Sequence, residues 1–137
     1  NDFEICAISG MELNPEQPTD FNACKVAARN VLRSGTMQLV AVHFPEGAFV
    51  YTRDGNFYSR PSVAIPETEI RGTNGAGDAF AAGFLYSLHE NMNVETAIIS
   101  GHSAAAASVR GIGTSDSVES FKRSREIANK WGWRDAF

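Results

Sequence analysis

The sequence predicts an α/β layer fold, and three observations support this prediction. Two short apolar runs with β-branched residues, 39–44 and 47–52, have the length and composition of strands. An Asp54-Gly55 pair then marks a turn into a third run at 57–59, as in a hairpin. From Gly77 onward the apolar residues recur at helical spacing. Strands followed by helices indicate a sheet covered by helices.

The first part of the chain is predicted to contain one helix before these strands. The pattern at 1–10 is too short to separate a strand end from a helix turn. A polar, proline-containing stretch at 11–18 indicates a loop. Thr19 or Asp20 can cap a helix that runs to about residue 34, and Gly35 provides a stop after it.

The later part of the chain is predicted to form a connecting loop and three helices. Prolines and charges at 61–72 indicate the loop, with a short strand at 62–65. The helices run from Gly77 to Asn91 or Asn93, over 94–109 and over 117–130, with a glycine-rich loop at 110–114. The predicted apolar stripe of the first helix consists of Phe80, Gly83, Phe84, Leu85 and Leu88. The predicted packing face of the second helix consists of Ala97, Ile98, Gly101, Ala104, Ala105 and Ser108.

Composition narrows the classes of function. Twelve Lys and Arg against sixteen Asp and Glu give a net charge of -4, which argues against nucleic acid as a partner. No apolar run approaches the ~20 residues that span a bilayer, and the opening residues do not resemble a signal peptide. Cys6 and Cys24 form no CxxC pair, so we expect two reduced thiols in a cytoplasmic protein. Because no initiator Met is present, we expect a fragment or a processed product.

The most informative segment runs from Gly72 to Phe80 and reads GTNGAGDAF. Glycines let a backbone approach a ligand closely, and a turn leading into a helix N-terminus directs several N–H groups at one point. Together with the helix dipole, such a turn attracts an anion, and a phosphate is the obvious candidate. The alternative is that Gly75 and Gly77 only shape a tight turn and that Asp78 caps the helix.

Two common phosphate loops do not fit this segment. A Walker A loop requires Gly-Lys-Ser/Thr, which the sequence lacks. A dinucleotide fingerprint requires a small residue where Phe80 stands, which argues against a dinucleotide-binding domain. The helix N-terminus favours the charged form of Asp78, and this charge would repel a passively bound phosphate. The same carboxylate is useful if it accepts the proton of a hydroxyl that attacks a phosphoryl group.

The thirteen residues from Thr73 to Leu85, TNGAGDAFAAGFL, resemble the C-terminal signature of PfkB-type carbohydrate kinases, the ribokinase-like family. The resemblance implies a ribokinase-like three-layer α/β/α fold, with residues 1–137 as its C-terminal nucleotide-binding and catalytic portion. It implies an ATP-dependent kinase that acts on a hydroxyl of a sugar or nucleoside, with Asp78 as the base. Gly75, Ala76 and Gly77 would form the anion hole, beside Thr73 and Asn74 at the nucleotide.

Other segments extend the resemblance. Asn1 and Glu4 resemble the Asn-x-x-Glu element of the family and would act on Mg²⁺, although taken alone they would be surface-loop residues. His102 begins a segment, HSAAAA, that resembles the family's small-residue helix beside adenine, and it is either a nucleotide contact or a partly exposed helix residue. Gly47 resembles part of a nucleotide-contacting turn. Residues 111, 113 and 117 stand where many members form a monovalent-cation loop.

Two departures from the family pattern bear on function. Gly72 replaces the Asp that helps to hold a monovalent cation in many members, which puts potassium dependence in doubt. Pro45 removes an N–H near Gly47, so nucleotide affinity or preference would differ. These departures leave a second hypothesis open, a non-catalytic relative that binds nucleotide or partners without turnover.

The family's N-terminal part, with most sugar contacts, is expected to be absent, so the chain alone would bind nucleotide weakly. The substrate and homodimer formation stay open.

Overall fold

The computed structural model describes residues 1–14, 16–113 and 117–137. The chain divides into two compact units, Asn1–Ser59 and Arg60–Phe137. The first unit contains helices α1 (Asp2–Ile8) and α2 (Phe21–Ser34), followed by strands β1 (Leu39–Phe44) and β2 (Gly47–Thr52). Strand β3 (Phe57–Pro61) includes residues of both units, because the boundary falls between Ser59 and Arg60. The second unit contains a short 3-10 turn (Glu67–Glu69) and helices α3 (Ala76–His89), α4 (Val94–Ser108) and α5 (Phe121–Trp131).

Helix α2 begins and ends where its sequence signals predict. The Asp20 side chain accepts a hydrogen bond from the Ala23 amide at 2.9 Å, which satisfies one of the free donors of the first turn. At the other end, the Arg53 guanidinium donates to the carbonyl oxygens of Leu32 and Gly35, at 2.8 and 2.7 Å. These bonds replace helical partners that the last carbonyls of a helix lack.

The three strands form one sheet in the order β1-β2-β3. Strands β1 and β2 are antiparallel, with Leu39 opposite Thr52 and Phe44 opposite Gly47, so Pro45 and Glu46 form the connection. Alternate residues of β1 are buried, as expected when one face of a strand covers a core. On that core the ring of Phe44 packs against Phe21 of α2, with centroids 4.9 Å apart. The predicted strands and hairpin are thus confirmed.

The two cysteines are free thiols buried between α1 and α2. Their sulfur atoms lie 3.9 Å apart. Burial raises the pKa of Cys6, and it raises the pKa of Cys24 to about 12. Both thiols are therefore neutral at physiological pH.

Helices α3 and α4 of the second unit approach each other closely because glycines face the contact. A β-carbon at Gly83 would lie 2.6 Å from the Ser100 carbonyl oxygen, and one at Gly101 would lie 2.8 Å from the Phe80 ring. Helix α5 packs against α4. Its residues Ile127 and Ala128 are buried. The small-residue face predicted for α4 is confirmed in position, although Ala104 and Ala105 are only half-buried.

Residues 2–8, which the sequence left open between a strand end and a helix turn, form a helix, because Asn1 and Glu4 make a capping box around its first turn. Two sequence-based expectations were wrong in detail. Leu85 is 61% exposed rather than part of the apolar stripe, because it follows buried Phe84 by about 100° around the helix. The strand predicted at 62–65 is reduced to one bridge between Val63 and Trp133. Within the described residues, no helix has both the length and the apolar character needed to cross a membrane.

Candidate functional site

The predicted anion-binding turn lies at the start of α3. Gly75 precedes the helix with φ 79° and ψ -1°, a left-handed conformation that disfavours residues with a β-carbon. The Ala76 amide donates to the Thr73 carbonyl at 3.2 Å, and the Ala79 amide donates to the Gly75 carbonyl at 2.9 Å. Between them, the amides of Gly77 and Asp78 have no acceptor among the described residues. Two N–H groups are therefore available at the positive end of the helix dipole.

Asp78 shares this first turn with the two free amides. Its side chain is exposed, and within the described part of the chain it makes no hydrogen bond or ion pair. The cap position is occupied by Gly75, which has no side chain, so Asp78 does not cap the helix. A carboxylate in the first turn interacts favourably with the helix dipole. The turn thus combines anion-binding donors with a proton acceptor.

Gly72 lies three residues before this turn and packs against the loop that follows α4. Its amide and that of Arg71 both donate to the Val109 carbonyl, at 3.3 and 2.8 Å. A β-carbon at Gly72 would lie 3.2 Å from the carbonyl oxygens of Gly111 and Ile112. The loop predicted to hold a monovalent cation therefore faces a glycine rather than a carboxylate. Gly113 and Ser117 lie in the same segment, whereas Thr114 is outside the described residues.

His102 is buried, which contradicts the expectation of a partly exposed residue. It is 4% exposed on α4, and its Nε2 atom lies 3.3 Å from the Arg60 carbonyl oxygen. The Phe80 ring lies edge-on to the imidazole, with centroids 5.0 Å apart. A nucleotide contact would use only the small part of the side chain that remains accessible, and that role stays a prediction.

The other predicted nucleotide contacts differ in exposure. Thr73 and Asn74 are exposed and lie directly before the turn, with the Thr73 carbonyl already bonded to the Ala76 amide. Gly47 is the buried first residue of β2, opposite Phe44. It belongs to the first unit, whereas Thr73 and Asn74 belong to the second.

The residues predicted to act on magnesium are the capping box of α1. Asn1 Oδ1 accepts from the Glu4 amide at 2.9 Å, and Glu4 Oε2 accepts from the Asn1 nitrogen at 2.6 Å. The Glu4 side chain is 69% exposed. Among residues 1–14, 16–113 and 117–137, no three His, Cys, Asp or Glu side chains converge into a metal-binding group. Two oxygen-bearing side chains fit a magnesium ion that keeps most of its waters.

The sequence interpretation missed polar residues on α5. Ser124 is buried and Arg125 is half-buried, and both lie beside a cavity in the second unit. The spacing of Ser124 with Ile127 and Ala128, three and four residues later, is the signal that places this serine on the packed face of the helix.

Comparison with known proteins identifies the family. Residues 1–120 match the model of the pfkB family carbohydrate kinases, and the chain belongs to this family. A 5-dehydro-2-deoxygluconokinase from Listeria innocua is 34% identical over 89 residues, covering 65% of this chain and 26% of that protein. An adenosine kinase from Schizosaccharomyces pombe is 29% identical over 116 residues, covering 83% of this chain and 34% of that protein.

A solved structure confirms the fold class. The ribokinase of Arabidopsis thaliana, in complex with ribose and ATP, superposes with a TM-score of 0.78 at 22% identity. The superposition covers 93% of this chain and 39% of that protein. The predicted ribokinase-like α/β fold is therefore confirmed, and the chain spans between about a quarter and two fifths of the length of these three relatives.

Proposed function

We propose that the protein transfers a phosphoryl group from ATP to a hydroxyl of a sugar or nucleoside, with Asp78 as the general base. The observation that carries this proposal is the composition of one helical turn. The amides of Gly77 and Asp78 have no acceptor within the described residues, and the exposed Asp78 carboxylate has no partner there. Membership in a family of carbohydrate kinases supplies the reaction class.

The turn can act on both reacting groups, the transferred phosphoryl group and the substrate hydroxyl. The Gly75–Gly77 turn would act as the anion hole, because its open N–H groups and the helix dipole stabilise charge on the transferred group. The substrate hydroxyl oxygen would form a bond to the terminal phosphorus as the bond to ADP breaks. Its proton would pass to the Asp78 carboxylate. A carboxylate beside bound phosphates is unfavourable for binding alone, so its presence favours a catalytic role.

Other residues would bind the nucleotide and its metal ion. Thr73 and Asn74 adjoin the turn, and we assign His102 and Gly47 to the nucleotide as the family resemblance implies. Asn1 and Glu4 would hold Mg²⁺ through oxygen atoms and waters, and the ion would neutralise phosphate charge when bound. The Arabidopsis ribokinase with bound ribose and ATP supports this choice of ligands for a related fold.

Replacement of Asp78 by asparagine tests the base assignment. Asparagine keeps the shape of the side chain but cannot accept the proton, so kcat in the full-length protein should fall by about 10²-fold or more. The affinity for ATP should not fall, because asparagine also removes a negative charge near the phosphates. Asp135→Asn, an exposed carboxylate of the same unit, is the matched control. Activity of the Asp78 variant near the wild-type value would show that another group is the base.

The second candidate is a relative that binds nucleotide without turnover. Gly72, which packs against two loop carbonyls where many family members have Asp, is the observation that favours it. Titration calorimetry with ATP and Mg²⁺, followed by product assays over a panel of sugars and nucleosides, separates the two. Binding without product across the panel would favour the second candidate.

We further propose that the chain is the C-terminal part of the kinase and acts together with the remainder of the fold. The chain spans 26% of the gluconokinase and 39% of the ribokinase. Helix α3 is apolar around most of its circumference, yet Leu85 is 61% exposed. Such a helix is typical of the interior of a larger protein. The 137-residue chain alone is therefore expected to bind ATP more weakly than the full-length protein, by calorimetry.

A further inference from the structure

A cavity of about 380 Å³ lies among α3, α4 and α5 of the second unit. This volume falls in the range of about 300–1,000 Å³ that small-molecule sites occupy. Its walls are formed largely by small or aromatic side chains. They include Ala79, Ala82, Gly83, Tyr86, Ala104 and Phe121. None of Gly75 to Asp78 lines the cavity, so it is separate from the proposed phosphate turn.

One hydroxyl in this cavity has no hydrogen-bond partner among the described residues. Ser124 is 4% exposed, and its hydroxyl makes no hydrogen bond with any described residue. The hydroxyls of Ser100 and Ser103, which also line the cavity, donate to carbonyl oxygens of their own helix at 2.8 and 2.7 Å. Ser124 therefore has a hydroxyl that remains available to a ligand.

One charge in the cavity is also uncompensated. Arg125 is half-buried, and its guanidinium has no ion pair or hydrogen bond with the described part of the chain. Glu119, the carboxylate that lines the cavity, already pairs with Arg110 at 3.5 Å. The cavity consequently presents one cation without an ion partner, one hydroxyl donor and one carboxylate that Arg110 already neutralises, next to apolar walls.

We propose that this cavity binds a small aromatic monocarboxylate. The Tyr86 and Phe121 rings, with centroids 5.2 Å apart at a tilt of 49°, offer an apolar surface to a flat ring. The planar fork of the Arg125 guanidinium matches the two oxygens of a carboxylate, and Ser124 can donate to the same group. A phosphate fits less well, because a dianion here would meet a single positive charge and no cluster of free amides.

Binding of 2-naphthoate to the full-length protein tests this site by isothermal titration calorimetry. Removal of the guanidinium in Arg125→Gln should weaken binding by roughly tenfold or more, since a hydrogen bond to a charged group is lost. Arg123→Gln is the matched control, because Arg123 lies on the same helix, pairs with Glu126 at 3.1 Å and does not line the cavity. The neutral 2-naphthamide should bind at least about tenfold more weakly than 2-naphthoate.

A second pair of variants tests the location independently of charge. Ala82→Phe places a ring in the cavity and should abolish binding, whereas Ala81→Phe, on the neighbouring exposed residue outside the lining, should leave it unchanged. Far-ultraviolet circular dichroism would show that both variants fold. The proposal is overturned if 2-naphthoate does not bind at millimolar concentration. It is also overturned if Arg125→Gln or Ala82→Phe binds 2-naphthoate as tightly as its matched control does. Tighter binding of 2-naphthyl phosphate than of 2-naphthoate would overturn the assignment of a carboxylate.

Discussion

Replacement of Gly83 by alanine tests how closely α3 and α4 pack. The new β-carbon would lie 2.6 Å from the Ser100 carbonyl oxygen and 3.0 Å from the Ala104 β-carbon. Because the carbonyl belongs to the backbone of α4, it cannot turn away as a flexible side chain would. The helices would have to separate by about 0.8 Å to restore an ordinary contact of 3.4 Å.

Two opposing effects set the change in the free energy of unfolding that Gly83→Ala causes. Alanine is favoured over glycine inside a helix by about 1 kcal/mol. Forced overpacking of a well-packed contact costs about 1–3 kcal/mol and sometimes more. The separation would also disturb the contact between Phe80 and Gly101 in the same interface. We therefore expect the packing cost to exceed the helix-propensity gain, with a net loss of up to about 2 kcal/mol in the free energy of unfolding.

Urea unfolding followed by tryptophan fluorescence measures this loss. The two tryptophans of the chain, Trp131 and Trp133, both lie in the second unit and report on it. Ala81→Gly, at an exposed position of the same helix, measures the propensity difference without the packing term. If Gly83→Ala stabilised the unit by the amount that Ala81→Gly destabilises it, the close helix contact would be refuted.

Three further predictions follow from single residues. Gly75→Ala should cost about 1–2 kcal/mol because of its positive φ, and Gly75→Asn should cost less in the same urea titration; equal losses would contradict the backbone argument. Burial raises the pKa of Cys24 to about 12, whereas the unfolded thiol has a pKa of about 8.5. The contribution of Cys24 to the free energy of unfolding should therefore be fully present below about pH 8.5 and be lost as the pH rises towards 12. The fall in unfolding free energy over that window should therefore be smaller in Cys24→Ala. Gly72→Asp places a carboxylate near the Gly111 and Ile112 carbonyls, so its melting temperature should rise in potassium chloride relative to tetramethylammonium chloride, while the wild-type value should not.

Local signals in the sequence were sufficient for most helices and strands. Asp20 caps α2 and Asn93 caps α4 through side-chain bonds that span three residues, so the helix starts could be predicted without tertiary information. The start of α3 was predicted one residue late, at Gly77 instead of Ala76. The sequence left α1 open because its apolar pattern is too short to separate a helix turn from a strand end, and the capping box of Asn1 and Glu4 is the signal that identifies the helix.

The candidate site was predictable only in part, because some of its properties depend on residues distant in sequence. The glycine turn and Asp78 follow from their own short segment. The burial of His102 could not be predicted, since its imidazole lies 3.3 Å from a carbonyl oxygen forty-two residues earlier in the chain. Likewise, the unpaired charge of Arg125 becomes evident only when Glu119 is seen to pair with Arg110.

The position of the proposed catalytic turn depends on a contact that touches neither phosphate nor substrate. Phe80 follows Asp78 by two residues, and its ring occupies the space that a side chain at Gly101 would need, at 2.8 Å. The same ring lies 5.0 Å from the imidazole of His102, which the Arg60 carbonyl approaches from another segment. A residue larger than glycine at 101 would displace Phe80 and, with it, the first turn of α3. Displacements of about 1 Å at a catalytic group can cost about 10²-fold in rate. The motif around Asp78 is therefore sufficient to recognise the turn, but Phe80 and Gly101 determine where its carboxylate lies.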